Sequence, residues 1–227
     1  MAVCVTPDLG RIKSVGLFLA DDCLTPTFGA DMGYIDDCVA AFETSDNVDD
    51  GDDFTRRCAD GSIKRFVPGV SSLQSIDVDI DFHWIDPDWL ANTAGGASPI
   101  THDAETVGWA DGTADRFNVI VVVWQEILGE CGAAVNPDFV RIYPLKGATI
   151  SEEGTPGSED NYVRLTGSTT DSHNLGVGPM ELAIDSLSGA AEWFSDALPT
   201  GVHRFRFTGA PAPTDCGAIT TVAPGSA

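Results

Sequence analysis

Side chains capable of chemistry are plentiful in this chain, but their spacing matches no familiar reaction. With 35 Asp and Glu residues, a pair of carboxylates suited to glycoside hydrolysis can be drawn almost anywhere, so acid pairs alone carry no information. No GxSxG nucleophile elbow, phosphate-cradling GxxxxGK[ST], dinucleotide-binding GxGxxG or zinc-binding HExxH occurs. His83, His102, His173 and His203 are far apart in sequence, and each reads as a surface or hydrogen-bonded core residue rather than a ligand. Asp46, Asp49, Asp50, Asp52 and Asp53 crowd around Gly51 as in a calcium loop. A loop begun at Asp46, however, has Val48 at its third position and Arg57 where the bidentate glutamate belongs. These residues point to no catalysis, no metal and no cofactor.

Two charge patterns remain. From Ser75 to Phe82 the side chains alternate strictly, with Asp77, Asp79 and Asp81 on one face and Ile76, Val78, Ile80 and Phe82 on the other, the period of a half-buried strand. Three like charges on one strand face repel one another, so this face needs water, a counter-charge or a use for a negative surface. The second pattern is basic. Residues 46–69 hold Arg56, Arg57, Lys64 and Arg65, four of the chain's 12 Lys and Arg, within ten positions. On an acidic protein such a loop suits docking on an acidic neighbour; a solvated hairpin with its own ion pairs is the other reading.

The elements that position these residues are mostly strands. Runs rich in Val, Ile and Phe, bounded by Gly, Pro, Asn or Asp, predict strands over residues 15–20, 34–43, 62–66, 73–84, 116–128, 139–143 with a continuation to 150, 161–167 and 201–209. The run from Asn118 to Trp124 has no polar face, which predicts a strand buried on both sides in mid-sheet. One helix is well signalled over residues 86–94, with Asp86 as cap, Pro87 in the first turn, Trp89 and Leu90 as apolar face and Gly95-Gly96 as stop. A second is predicted over residues 189–198. The Pro- and Ala-rich segment 210–227 has the composition of a disordered or extended tail.

Composition bounds the class of partner. The 227 residues are 43% hydrophobic, enough for a globular all-β domain running as one unit. The net charge of −23 disfavours nucleic acid and anionic membrane as binding partners. No segment approaches the roughly 18 consecutive apolar residues of a membrane span, and the N-terminus lacks a basic region followed by an apolar run, so synthesis in the cytosol is expected. Cys4, Cys23, Cys38, Cys58, Cys131 and Cys216 include no CxxC pair. Buried, reduced thiols are expected inside a cell, and up to three disulfides become possible outside it.

The order of features carries a resemblance over residues 1–209. An N-terminal MAVCVTPDLG and Gly29-Ala30-Asp31 are followed by the arm GDDFTRRCADGSIKR, the strand SLQSIDVDIDF, the helix DPDWLANTAGG and a Val107-Gly108 turn into the long central strand. This sequence resembles the major tail tube proteins of long-tailed phages, in particular those that infect actinobacteria. The resemblance implies a two-sheet β-sandwich or barrel of the tail-tube type with one or two short flanking helices, spanning residues 1–209, with 210–227 as an extended tail. It also implies a non-enzymatic virion protein, assembled in the host cytoplasm, whose hexameric rings stack into a hollow tube through which DNA passes without specific binding. Tape measure, tail-tip and terminator proteins are the implied partners. The arm, residues 46–69, would reach the adjacent ring through Arg56, Arg57, Lys64 and Arg65, and Asp77, Asp79 and Asp81 would face either the lumen or outer solvent. A carbohydrate-binding β-sandwich, with Trp84, Trp89, Trp109, Trp124 and Trp193 as sugar platforms, is the alternative.

Overall fold

The computed structural model describes residues 8–57, 63–93, 98–110, 116–128, 138–153 and 162–225. In chain order the elements are β1 (Asp8–Ala20), β2 (Gly29–Asp36), β3 (Val39–Asp49), β4 (Phe54–Arg57), β5 (Ile63–Val67), β6 (Ser72–Phe82), α1 (Pro87–Asn92), β7 (Ser98–His102), β8 (Glu105–Ala110), β9 (Phe117–Leu128), β10 (Phe139–Glu153), β11 (Tyr162–Thr169), β12 (Ala183–Ile184), β13 (Ala191–Glu192), β14 (Phe205–Thr208) and β15 (Gly217–Thr221). Nine strands form one antiparallel sheet in the order β15-β2-β1-β9-β10-β11-β6-β3, with β14 also paired to β10. Three small hairpins, β4–β5, β7–β8 and β12–β13, stand outside it.

This sheet is curled until β2 and β6, the strands next to its two ends, meet across the interior. Tyr34 on β2 and Phe82 on β6 have four strands between them in the sheet order, which in a flat sheet would separate them by roughly 24 Å at ~4.8 Å per strand. Their ring centroids lie 6.0 Å apart, and the Tyr34 hydroxyl donates to the Trp84 carbonyl at 2.8 Å. The chain passes from β2, next to one end of the sheet, to β3 at the other through only residues 37 and 38. The bend is built into β10. Its first half pairs with β14 and its second with β11. Between the halves the register shifts against both β9 and β11 around Gly147, whose φ of 69° lies in the left-handed region. The Asn118 side chain accepts the Gly147 N–H at 3.0 Å and holds the bulge.

Burial explains the curl. Strand β9 alternates between two cores: Val119, Val121 and Val123 join the interior cluster with Val15, Leu17, Ile80, Phe82, Trp89 and Tyr143. Ile120, Val122 and Trp124 join an outer cluster with Phe18, Val140, Ile142, Leu175, Leu182 and Phe205. All six of these β9 side chains are fully buried, as their unbroken apolar run predicts. At about 1.5–3 kcal/mol for each large apolar side chain buried, a strand apolar on both faces is stable only with both faces covered. The curled sheet and α1 cover one; the segment around Leu175, Leu182 and Phe205 covers the other.

Helix α1 begins as its sequence directs. Asp86 caps it by accepting the Asp88 N–H at 2.9 Å, Pro87 opens the first turn and Trp89 and Leu90 are buried. It ends at Asn92, where Thr93 donates through both its N–H and its hydroxyl to the Leu90 carbonyl; Gly95 and Gly96 lie outside the described residues. The all-β expectation therefore holds in its coarse form, with several corrections. The expected two sheets are two halves of one continuous sheet. The strand expected over 34–43 is two strands, broken where the Asp36 carboxylate accepts the Cys38 N–H at 2.7 Å.

Val107 and Gly108 lie inside β8 and not in a turn. The expected helix over 189–198 is absent. Asp185 instead closes a tight turn by accepting from the Leu187 and Ser188 N–H groups and the Ser188 hydroxyl, and Gly189 takes a φ of 70°, which commits the segment to a hairpin. The segment after residue 209 is held to the sheet over 217–221. Its β15 pairs antiparallel with β2, and the Ala218 N–H donates to Asp86 at 3.2 Å.

Candidate functional site

The alternation on β6 survives folding: Ile76, Val78, Ile80 and Phe82 are fully buried, and Asp77, Asp79 and Asp81 share the opposite face. The register then shows what flanks them. On β11, Ser168 stands opposite Asp77, Thr166 opposite Asp79 and Arg164 opposite Asp81; on β3, Ser45 stands opposite Asp77 and Glu43 opposite Asp79. The three carboxylates are thus differently treated. Asp81 is 9% exposed and takes a two-point contact from Arg164, Nε to Oδ1 at 2.7 Å and Nη2 to Oδ2 at 3.0 Å. Asp77 accepts the Ser168 hydroxyl and the Asn47 amide at 2.8 Å. The Ser168 bond first, and then that of Asn47, holds the Asp77 carboxyl below the usual range. Asp79 has no hydrogen-bond or ion-pair partner among the described residues, and the exposed Glu43 opposite it adds a second negative charge.

The face is consequently an acidic patch centred on Asp79 and Glu43, with Asp81 neutralised at one side. Sequence reasoning placed the carboxylates on one face but missed Glu43 and Arg164. The signal was available: residues 162–169 alternate as strictly as β6 does, with Val163, Leu165 and Thr169 buried and Arg164, Thr166 and Ser168 outward. The pairing of the two strands was not available, because register between distant segments is written in neither one alone.

The arm is a hairpin. Strand β3 extends to Asp49, the chain turns outward, and β4 pairs with β5, Arg56 standing opposite Arg65 and Arg57 opposite Ile63. Arg56, Arg57, Lys64 and Arg65 therefore lie on two paired strands, with Lys64 one residue past Ile63; the side chains of these four residues lie outside the described set. The arm's two legs cross at Gly51 and Gly69, where a Cβ added to Gly69 would sit 2.5 Å from the Gly51 carbonyl oxygen. Asp53 accepts the Gly69 N–H at 2.8 Å across the same crossing, and Asp49 accepts the Gly51 N–H at 3.0 Å. Of the acid cluster, Asp49 and Asp53 are thus occupied in turn-making, and Asp46 faces Arg204 at 3.3 Å. Among the described residues no group of three or more His, Cys, Asp or Glu side chains is placed to hold a metal ion. Val48 and Leu73, cross-strand partners at the base of the arm, and Phe54 and Val70 beside them in sequence, are all exposed apolar residues.

The histidines stay apart in role. His102 lies exposed at the β7–β8 tip, His173 is buried with Nε2 2.9 Å from the Val202 carbonyl, and His203 touches the Thr169 hydroxyl at 3.3 Å. Of the five tryptophans, Trp89 and Trp124 are fully buried and cannot serve as sugar platforms. Trp193 packs edge-on against Phe28, Trp84 is exposed, and the side chain of Trp109 lies outside the described set. No helix among the described residues is long and apolar enough to cross a membrane. Neither a protein-family model nor a curated protein matches the chain.

Proposed function

We propose that this chain is a structural virion protein of the phage tail-tube type, which polymerises as stacked hexameric rings into the hollow tube that delivers DNA to the host. The observation that carries this reading is the condition of the sheet's two ends. Strand β3 is eleven residues long, exposed from Glu43 onward, and among the described residues pairs with β6 on one side only. At the opposite end, β15 pairs only with β2 among the described residues. A long open edge is an aggregation hazard that soluble monomers ordinarily cover or shorten. Pairing edges between copies in a closed ring eliminates it.

Three further features support the reading. The order of sequence features resembles that family, the basic hairpin projects from the same end of β3 and β6 where apolar side chains are exposed, and the acidic patch offers a wall that phosphates do not adhere to. At physiological salt that repulsion extends about 8 Å, so it acts near the wall and leaves the channel open. Tape measure, tail-tip and terminator proteins are the partners this reading requires, in a tail assembled in the host cytoplasm.

Negative-stain microscopy of the concentrated protein, alone and with a tail-tip nucleator, tests it. Rings or tubes of uniform diameter are expected. Monomers persisting under all of these conditions would reject assembly as the function.

A further inference from the structure

Cys23, Cys38 and Cys216 fall among the described residues, each as an exposed free thiol. Two of them meet. Cys38 lies in the two-residue connection from β2 to β3, and Cys216 immediately precedes β15. Because Gly217 stands opposite Ile35 in the antiparallel β15–β2 pair, the next position outward sets Cys216 beside Asp36, the residue whose carboxylate accepts the Cys38 N–H. Asp37, which lies between Asp36 and Cys38 in the chain, carries the carboxylate that acts electrostatically on the Cys216 thiol. Both cysteines line one open cavity of about 380 Å³, together with Tyr34, His83, Trp84 and Asp86. Cys23, by contrast, lines a different cavity with Lys146 and His173.

We propose that Cys38 and Cys216 are a disulfide-forming pair that, in an oxidising environment, clasps the C-terminal edge strand β15 to the β2–β3 connection. The geometric requirement is a Cα separation of about 4.4–6.8 Å; Cys216 stands level with Asp36 on the neighbouring strand, two residues before Cys38, and the turn after Asp36 folds Cys38 back through its N–H bond to the Asp36 carboxylate. The oxidant is a small-molecule disulfide such as oxidised glutathione. One protein thiolate attacks it, forming a mixed disulfide and releasing one glutathione thiolate. The second protein thiolate then attacks the mixed disulfide at the protein's sulfur and releases the other glutathione. Two cysteine thiols are oxidised, one glutathione disulfide is reduced, and the two protons pass to the released glutathiones. Burial, and then the Asp37 carboxylate, pushes the Cys216 thiol above its ordinary value; Asp36, Asp86, His83 and Tyr34 are the other titratable groups of the cavity besides Cys38. The exchange therefore runs best in alkaline solution. This inference does not rest on the assembly reading.

The test uses the full chain with Cys23→Ser, so that tryptic peptides 14–56 and 207–227 each contain a single cysteine. The protein is incubated with oxidised glutathione near pH 8.5, free thiols are blocked, and the peptides are analysed without reduction. Peptides 14–56 and 207–227 are expected as one linked species. The oxidised protein is expected to melt roughly 5 °C or more above the reduced one, since the closed loop is long, and Cys216→Ser is expected to abolish that difference. Finding the two peptides separately glutathionylated or unmodified, or linked to the peptides of Cys4, Cys58 or Cys131, would overturn the proposal. So would an equal rise in melting temperature in the Cys216→Ser protein.

Discussion

Arg164 on β11 grips Asp81 on β6 with both prongs of its guanidinium, at 2.7 and 3.0 Å, from the position directly across the register. This contact decides what the carboxylate row of β6 can do. A planar fork matched to a carboxylate is the strongest geometry such a pair adopts, and the same Nη2 also reaches the Tyr162 hydroxyl at 3.0 Å. Asp81 is thereby an anchor between strands, and the repulsive surface contracts to Asp79 and Glu43.

Breaking that grip should weaken the β6–β11 seam. Arg164→Met leaves Asp81 nearly buried without its counter-charge, so the urea midpoint is expected to fall further than in Asp79→Asn. In a double-mutant cycle with Asp81→Asn the losses are expected to be non-additive. Additive losses would show that the two residues do not act as a pair.

Closure of the curled sheet has its own test. Burial pushes the Tyr34 phenol far above its ordinary value, with the Asp36 carboxylate adding to the effect, so the group is a neutral donor at any working pH. Tyr34→Phe removes the 2.8 Å bond to the Trp84 carbonyl and keeps the ring contacts with Phe82 and Trp89. A loss of about 1 kcal/mol in unfolding free energy is expected, measured by denaturant titration. No loss would mean that ring packing alone closes the sheet.

Acid should undo part of the stability in a defined window. Asp77 is held below the usual carboxylate range by Ser168 and Asn47, Asp21 by the Thr25 and Cys23 N–H groups, and Asp185 by Ser188 and Leu187. For each, the folded value lies below the unfolded one. Their contribution is therefore complete above ~3.9, the unfolded carboxylate value, and disappears as pH falls through the folded value. Ser168→Ala is expected to be less stable than wild type near pH 7, the gap narrowing as the pH drops below about 4. A gap that stays constant with pH would show that the Ser168 effect does not act through Asp77.

The arm is predicted to serve assembly and not folding. Reversing Arg56, Arg57, Lys64 and Arg65 to Glu should leave the melting temperature of the subunit within a few degrees and block or shorten tubes. Exposed ion pairs contribute only about 0–1 kcal/mol each, but the loss recurs at every subunit. Gly69→Ala should act similarly by forcing apart the legs that cross at Gly51. Normal tubes from the fourfold reversal, counted by microscopy, would remove the arm from the contact.

The acidic patch is predicted to keep DNA moving. Replacing Asp77, Asp79 and Asp81 together with Lys would oppose a cation to Arg164 and break the Asp77 hydrogen bonds, so it tests folding as much as transit. Asp79→Lys with Glu43→Lys alters only exposed or unpaired charge. This double substitution should fold and assemble, and should slow genome ejection most at low ionic strength, where phosphate attraction is least screened. Unchanged ejection kinetics at low salt would place the patch on an outer surface.

What the sequence determines by itself is local. The alternation of β6, the two-sided burial of β9 and the start of α1 at Asp86-Pro87 all follow from steric periods and capping bonds that span a few residues, so a linear reading recovers them. The tertiary structure decided what meets what. The curl that brings Tyr34 onto Phe82, the pairing that gives Asp81 to Arg164, and the capture of residues 217–221 on β2 depend on strand register between segments up to about 190 residues apart, and a strand's own pattern specifies its buried face but not its neighbour. The same distinction explains the failed helix over 189–198. Phe194 and Leu198 have helical spacing, but Asp185 and Gly189 close a turn, and the two apolar residues pack partly buried against the outer core from irregular chain.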